Sequence, residues 1–345
     1  MTAATVYGDI TPRTAAYAVS EFLKRGMPYL VLEKFGQTYP IPNNATKVAK
    51  FRRYYLSGAT GSAGDGNPAN AFSVPVSINP LVEGVTPAGR KLDNTDYTAT
   101  LVQYGDFVTI TDVIMDTHED PVLKQMTEVL GESAAITIET IRYNILKAGT
   151  NVFYANGGAR SSVNTPISLT LQRQVTTALQ RQNAKKITQI VKSTPDFRTE
   201  PIEAAYIGLI HPDCETDVRS MSGYINPKQY GTVTPWENEI GTVEQVRYLT
   251  STVFAPFTDA GGAKGAMRST SGTSADVYPV LYIARDAYGI VPLKGKDSLT
   301  PMVVNPKPAP GDPLAQRGTV GWKAMTTAII LNDSWMARLE VAATA

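Results

Sequence analysis

The stretch from Gly311 to Leu331 limits the fold more than any other part of this 345-residue chain. A loop punctuated by Gly311, Pro313 and Gly318 runs into Val320, Trp322, Ala324 and Thr326, which alternate with Gly321, Lys323, Met325 and Thr327 as strand residues do. A strand this close to the C-terminus must satisfy its backbone N–H and C=O groups on structure laid down earlier. The stretch therefore predicts a sheet closed by joining two distant parts of the sequence. Beyond the turn residues Asn332, Asp333 and Ser334, a second alternation of Trp335, Ala337, Leu339 and Val341 predicts another strand joined at that turn.

The clearest helix lies far upstream. Leu123, Met126, Leu130, Ala134, Ile138, Ile141 and Ile145 recur at spacings of three and four and draw one apolar stripe. Thr117 and Asp120 resemble a capping box, Pro121 suits a first turn, and Lys147 with Gly149 forms a C-terminal signal. The predicted rod spans roughly residues 119–148, about 45 Å at 1.5 Å per residue. Gly131 inside it costs about 1 kcal/mol against alanine and marks a close contact or a bend. Two strand-like runs, 97–104 and 107–114, precede it.

Other segments are less regular. Residues 1–51 read as an arm with one short helix, Thr14 to Lys24, kept extended afterwards by Pro28, Pro40 and Pro42. Residues 57–90 are rich in glycine and proline; the run from Gly58 to Pro68 has no large apolar side chain, and Phe72 to Ile78 reads as an edge strand broken by Pro75. A long two-stranded projection of this kind is marginal alone in water, so it should lie on a partner. After a loop at 150–165, Ser168 reads as the N-cap of a helix with Leu171, Val175, Ala178 and Leu179 on one face. Strand-like 187–191 and 204–210, and the helix start at Pro212, give the middle of the chain an α/β character. The Gly-rich loop from Asp259 to Ser274 then separates it from strand-like Val280 to Ile283.

Composition narrows the function classes. Hydrophobic residues make up 43% of the chain and charged residues only 18%, below the roughly 25% usual for soluble domains. A surface poor in charge suits extensive contact with other protein. The 32 basic and 31 acidic residues leave a net charge of +1 without long runs, which argues against dedicated nucleic-acid binding. Lys47, Lys50, Arg52 and Arg53 read as a solvated strand face. Cys214 is the single cysteine, so an intrachain disulfide and a multi-Cys zinc site are excluded and a reducing compartment is expected. The N-terminus has no signal pattern and no apolar run reaches a membrane span, so a soluble chain made in the cytosol is expected.

No catalytic, cofactor or metal site emerges. His118 is expected to cap or flank the long helix, and His211 with Cys214 to form a strand-to-helix corner with a buried thiol. Asp93 to Asp96 lacks the spacing of a calcium loop and reads as a loop with Asx turns. Gly58 to Gly66 and Gly261 to Ala266 lack the Gly-Lys-Ser/Thr order of a phosphate cradle and read as mobile tips.

The order of elements (arm, β projection, strand return, long helix, α/β lobe and closing strands) resembles the major capsid proteins of tailed bacteriophages with the Hong Kong 97 type shell fold. The most specific stretches are Leu209 to Asp213 with Asp217 and Arg219, Trp236 with Gly241 to Arg247, and Asp312 to Gly318 running through Gly321, Trp322 and Lys323 to Asn332. These are similar to the capsid family of the N4-like phages. The resemblance implies an α+β fold with an N-terminal arm at 1–50, an extended loop at 51–95 lying over a neighbouring subunit, and a peripheral domain at 96–165 and 276–345 with the long helix as spine. The α/β axial domain would be 166–275. It implies self-assembly into hexamers and pentamers that form an icosahedral shell around double-stranded DNA, contacted weakly, with assembly in the host bacterial cytoplasm. A separate scaffolding protein and a portal are expected partners, with a decoration protein as a further one. An encapsulin-like compartment and a tail or baseplate protein are the alternatives.

Overall fold

The computed structural model describes residues 29–56, 82–86, 92–117, 122–191, 199–231, 235–293, 299–304 and 313–345. Among the described residues, a 3-10 turn at Leu32–Lys34 precedes β1 (Gln37–Thr38), the hairpin strands β2 (Val48–Leu56) and β3 (Leu92–Thr100), and β4 (Val102–Thr111), followed by helices α1 (Asp112–Thr117) and α2 (Val122–Lys147). Next come β5 (Val152–Tyr154), α3 (Leu169–Arg181), β6 (Ile187–Val191), β7 (Thr199–Ile210) and α4 (Glu215–Ser220). The remaining strands are β8 (Tyr224–Ile225), β9 (Glu239–Val243), β10 (Val246–Thr250), β11 (Tyr278–Ile283), β12 (Tyr288–Pro292), β13 (Leu299–Val304), β14 (Arg317–Ile330) and β15 (Met336–Val341).

The expected closure is present. β14 pairs antiparallel with β4 from Arg317 opposite Thr111 to Thr326 opposite Val102. On its other side β14 carries β13 and then β12, and β1 extends that sheet beyond β12. One face of β14 presents Val320, Trp322 and Ala324 to Leu130, Ala134 and Ile138 of α2, so the helix stripe and the strand alternation meet in one core cluster.

An eight-stranded sheet runs in the order β5-β15-β11-β7-β10-β9-β8, with β6 also on β7. β7 is buried from Ala205 to Ile210 because both faces are covered. Tyr206, Ile210, Tyr248, Val280, Tyr282 and Leu339 pack with Val175 and Leu179 of α3 on one face. On the other, Ile207, Leu209, Leu249, Leu281 and Ile283 meet Tyr143 and Leu146 from the end of α2 and Val31, Leu32 and Phe35 of the arm. Gly208 stands between Tyr248 and Tyr282 on the neighbouring strands. A Cβ there would lie 2.7 Å from the Tyr248 ring, and the two phenol oxygens are 3.0 Å apart.

Several expectations are corrected. The break expected at 105–106 falls at Leu101, and Gly105 lies within β4. The strand expected through residue 114 stops at Thr111, where Asp112 turns its carboxylate onto the N–H of Val113 at 2.8 Å and begins α1. β14 and β15 do not form a hairpin. Both sides of β14 are already occupied, so the chain passes through a short 3-10 turn, Asp333–Trp335, into the other sheet, where β15 pairs with β11 and β5. Strands β11 and β15, from the segment expected to be peripheral, thus share a sheet with β7 and β10 from the segment expected to be axial. The expected helix at 14–24 and strand at 72–78 lie outside the described residues.

Candidate assembly surfaces

The residues with the most chemical potential are structural. Cys214 is fully buried, and burial pushes its thiol far up, which leaves no thiolate for nucleophilic work. His211 accepts from the N–H of Asp213 at 3.2 Å and caps the turn that leads into α4. Burial lowers the basicity of its imidazole despite the Asp213 carboxylate. Asp213 in turn accepts from the Tyr278 hydroxyl at 2.8 Å and from Arg268. Asp217 receives Thr344 through its backbone N–H at 3.0 Å and its hydroxyl at 2.6 Å, which ties down the C-terminus. His118 and Gly58 to Gly66 lie outside the described residues. Among the described residues, no group of three His, Cys, Asp or Glu is close enough to hold a metal ion.

Three readings change. Residues 93–96 lie in β3 rather than in a loop; Asp96 takes a bidentate contact from Arg52 on β2 at 2.7 and 2.9 Å. Of the basic patch, Arg53 is not simply solvated: it lies over the Trp335 ring at 5.0 Å, and burial pulls its guanidinium down to about 10. The loop holding Gly261 to Ala266 is pinned, with Gly261 donating to Ala275 O, Gly262 to Val163 O and Ala275 to Gly262 O. At Gly261 a Cβ would sit 2.3 Å from Val163 O.

The second family-like stretch builds a buried ion pair. Arg247 donates from Nε and Nη2 to the two oxygens of Glu239, both at 2.7 Å, and its guanidinium lies 4.3 Å from the centre of the Trp236 ring. Trp236 N and Tyr230 Oη also donate to Glu239, at 2.8 and 2.7 Å. A carboxylate held by four donors ties the start of β9, Tyr230 and Trp236 to β10.

A second set of contacts was not legible in the helix stripe. Ala135, Glu139, Arg142 and Leu146 recur at spacings of four, three and four along α2 and are all buried, beside the stripe that meets β14. Glu139 accepts the N–H groups of Val31 at 2.9 Å and Leu32 at 2.7 Å, while Arg142 reaches Glu33 at 3.4 Å. Tyr29 donates to Glu132 at 2.8 Å, Tyr288 donates to Leu32 O, and Phe35 meets Trp236 edge-on at 5.1 Å. The arm is thereby docked over residues 29–35. Burial raises the Glu139 carboxyl to about 7, against the Leu32 N–H, Arg142 and the Val31 N–H, which favour its charge.

Part of the outward surface is apolar. On the face of the β4–β14–β13 sheet turned away from α2, Phe107, Gly321 and Met302 stand in one row, with Val304 opposite Thr319 and Lys323 between Gly105 and Thr300. All of these but Thr300 line an open groove of ≈ 500 Å³. The hairpin leaves Tyr54 and Leu92 exposed, and Val82 and Val85 stand exposed on a turn beyond it.

A family model described as phage capsid protein matches residues 95–339, well over half of the chain. The chain belongs to the phage capsid protein family. Solved structures give the same fold at low identity. The capsid of Ralstonia phage GP4 superposes with a TM-score of 0.63 at 12% identity over 90% of this chain and 87% of that one. The cyanophage Pam1 capsid gives 0.59 at 15% identity, over 94% and 93%. The SrpI encapsulin of Synechococcus elongatus gives 0.51 at 10% identity, over 99% and 93%. No curated protein matches.

This capsid protein therefore has the Hong Kong 97 type α+β fold expected from its sequence, with α2 as the long helix behind the closing sheet. Its candidate site is a set of surfaces for copies of itself: the outward sheet face, the hairpin and the docked arm.

Proposed function

We propose that this capsid protein assembles into hexamers and pentamers that close an icosahedral shell around double-stranded phage DNA. The reading rests on one observation above others. The chain buries the α2-facing side of the β4–β14–β13 sheet and leaves Phe107, Met302 and Val304 on the opposite face, where a lone subunit gains nothing from them.

In this reading residues 1–50 are the arm and 51–95 the extended loop over a neighbouring subunit. Residues 96–165 and 276–345 are the peripheral domain, and 166–275 the axial domain gathered around the symmetry axes. The β14–β4 ladder supports grouping the two peripheral segments, and the eight-stranded sheet joins them to the axial lobe. The protein carries out no catalysis and belongs with the N4-like group. Its main partner is itself, with a portal, a scaffolding protein and a decoration protein from other chains. Shells form in the host bacterial cytoplasm and become the capsid of the virion. A net charge of +1 supports weak contact with the packaged DNA.

Sedimentation with nuclease treatment tests this. Megadalton particles that protect double-stranded DNA are expected from infected cells, and a small monodisperse oligomer would overturn the reading. The likeness to an encapsulin favours one rival: particles holding a cargo enzyme and no genome would decide for it.

A further inference from the structure

We propose that Lys147 and Arg160, at the C-terminal end of α2, hold a phosphate group. With Arg338 they form a cluster of three cations built around one carboxylate. Glu340 is fully buried; it accepts from Arg160 Nε and Nη2 at 2.8 Å each and lies 3.0 Å from Arg338 Nε. Among the described residues, no other carboxylate comes within ion-pair distance of these cations, and Lys147 pairs with none. Three cations against Glu340 leave an excess of two positive charges. The C-terminus of α2 offsets about half of one charge, so most of the excess stands uncompensated.

Donors are left over as well as charge. Arg160 commits Nε and Nη2 to Glu340, and its Nη1 has no acceptor among the described residues. Arg338 donates from Nη1 to Lys147 O, while its buried Nε, although close to Glu340, makes no hydrogen bond. The Lys147 Nζ lies 3.7 Å from the centre of the Phe257 ring and 5.4 Å from that of Tyr143. Arg160 Cζ lies 3.5 Å from the same Phe257 ring. Both cations are only partly buried, with 34% of the Arg160 side chain exposed, so a small anion can reach them. Burial, then Arg160 and Arg338, lower the basicity of the Lys147 amine against the pull of Glu340.

Size and charge decide what fits. The Lys147 ammonium and the Arg160 guanidinium share one ring as their neighbour, which keeps them within about 7 Å of each other. Two oxygens of one phosphate, each accepting at about 2.8 Å, span that gap and take up Nζ and Nη1 together. A phosphate group brings roughly one to two negative charges, which matches the excess, and its bound charge would restore the basicity that Lys147 loses. Free phosphate and the backbone of a nucleic acid present the same oxygens, so the site is defined by the phosphate group and the source by experiment.

The test is a titration of the full chain with inorganic phosphate at constant ionic strength, read by phosphorus NMR linewidth. Saturable binding is expected. Lys147→Met keeps an apolar stem against Phe257 and removes the charge, so it should weaken binding at least about tenfold, whereas Lys147→Arg should retain it. No saturable binding by the wild-type chain, or equal binding by Lys147→Met, would overturn the proposal. A second measurement needs no variant: nitrogen NMR of the Lys147 amine should show its titration moving to higher pH when phosphate is added, and an unmoved titration would also overturn it. A short DNA duplex without terminal phosphates separates the sources. Duplex binding that inorganic phosphate displaces and Lys147→Met abolishes assigns the site to a backbone phosphate; binding of inorganic phosphate without the duplex assigns it to the free ion.

Discussion

Replacing Glu139 with glutamine should make the docking of arm residues 29–35 insensitive to pH. In the wild-type chain the Glu139 carboxyl is fully buried under Val31 and Leu32. Burial is the largest influence on it and raises it from 4.5 to about 7, with Glu33 adding slightly and the Leu32 N–H, Arg142 and the Val31 N–H opposing. Tyr288 also faces it through the same pocket. A raised value in the docked state means that the docked arm holds the proton more tightly than the free arm. Docking is then strongest below about 4.5 and weakens as pH rises through about 7. At 1.36 kcal/mol per unit the full swing is on the order of 3 kcal/mol, or a factor of about three hundred in the opening equilibrium. Glutamine keeps an oxygen for the two N–H donors and has no proton to lose. Hydrogen exchange at the Val31 and Leu32 amides, corrected for intrinsic rates, reads the effect directly. Wild-type protection should fall between pH 4.5 and 7.5 and that of the variant should stay flat. Equal pH dependence in both, or wild-type protection that rises with pH, would refute the reasoning.

Three stability predictions follow from the packing, each read by guanidinium unfolding of dissociated subunits. Trp322→Ala removes a side chain that is 4% exposed against α2 and should cost about 3–5 kcal/mol. Glu239→Ala strands the buried Arg247 guanidinium and should cost about 3–5 kcal/mol, whereas a change confined to the exposed Glu244, paired with Arg173, should cost under about 1 kcal/mol. Gly208→Ala drives a methyl into the Tyr248 ring and should cost about 1–3 kcal/mol.

The parts legible in the sequence are those governed by local periodicity. The α2 stripe, the Ser168 cap, whose oxygen accepts from Leu171 N at 3.4 Å, and the alternation of β14 all carry their own signal. The closure of β14 on the strands before α2 was legible because a late strand has few places left to pair. Pairings that depend on which edges are already occupied were not. Nothing local says that β15 leaves β14 for the sheet of β11, or that Asp93 to Asp96 continue a strand. The assembly surfaces were the least legible. Glu139 sits beside the apolar stripe and reads as a solvated charge until the arm, more than 100 residues earlier, is seen to cover it. The outward Phe107, Met302 and Val304 look like ordinary strand residues until the register aligns them across Gly321.

The most direct test of the central claim is cryo-electron microscopy of particles assembled from this chain, at a resolution that traces side chains. Closed shells with five-fold and six-fold capsomers, the eight-stranded sheet near the axes and α2 along the periphery, are the predicted result. Discrete small oligomers, tubes or fibres would contradict it.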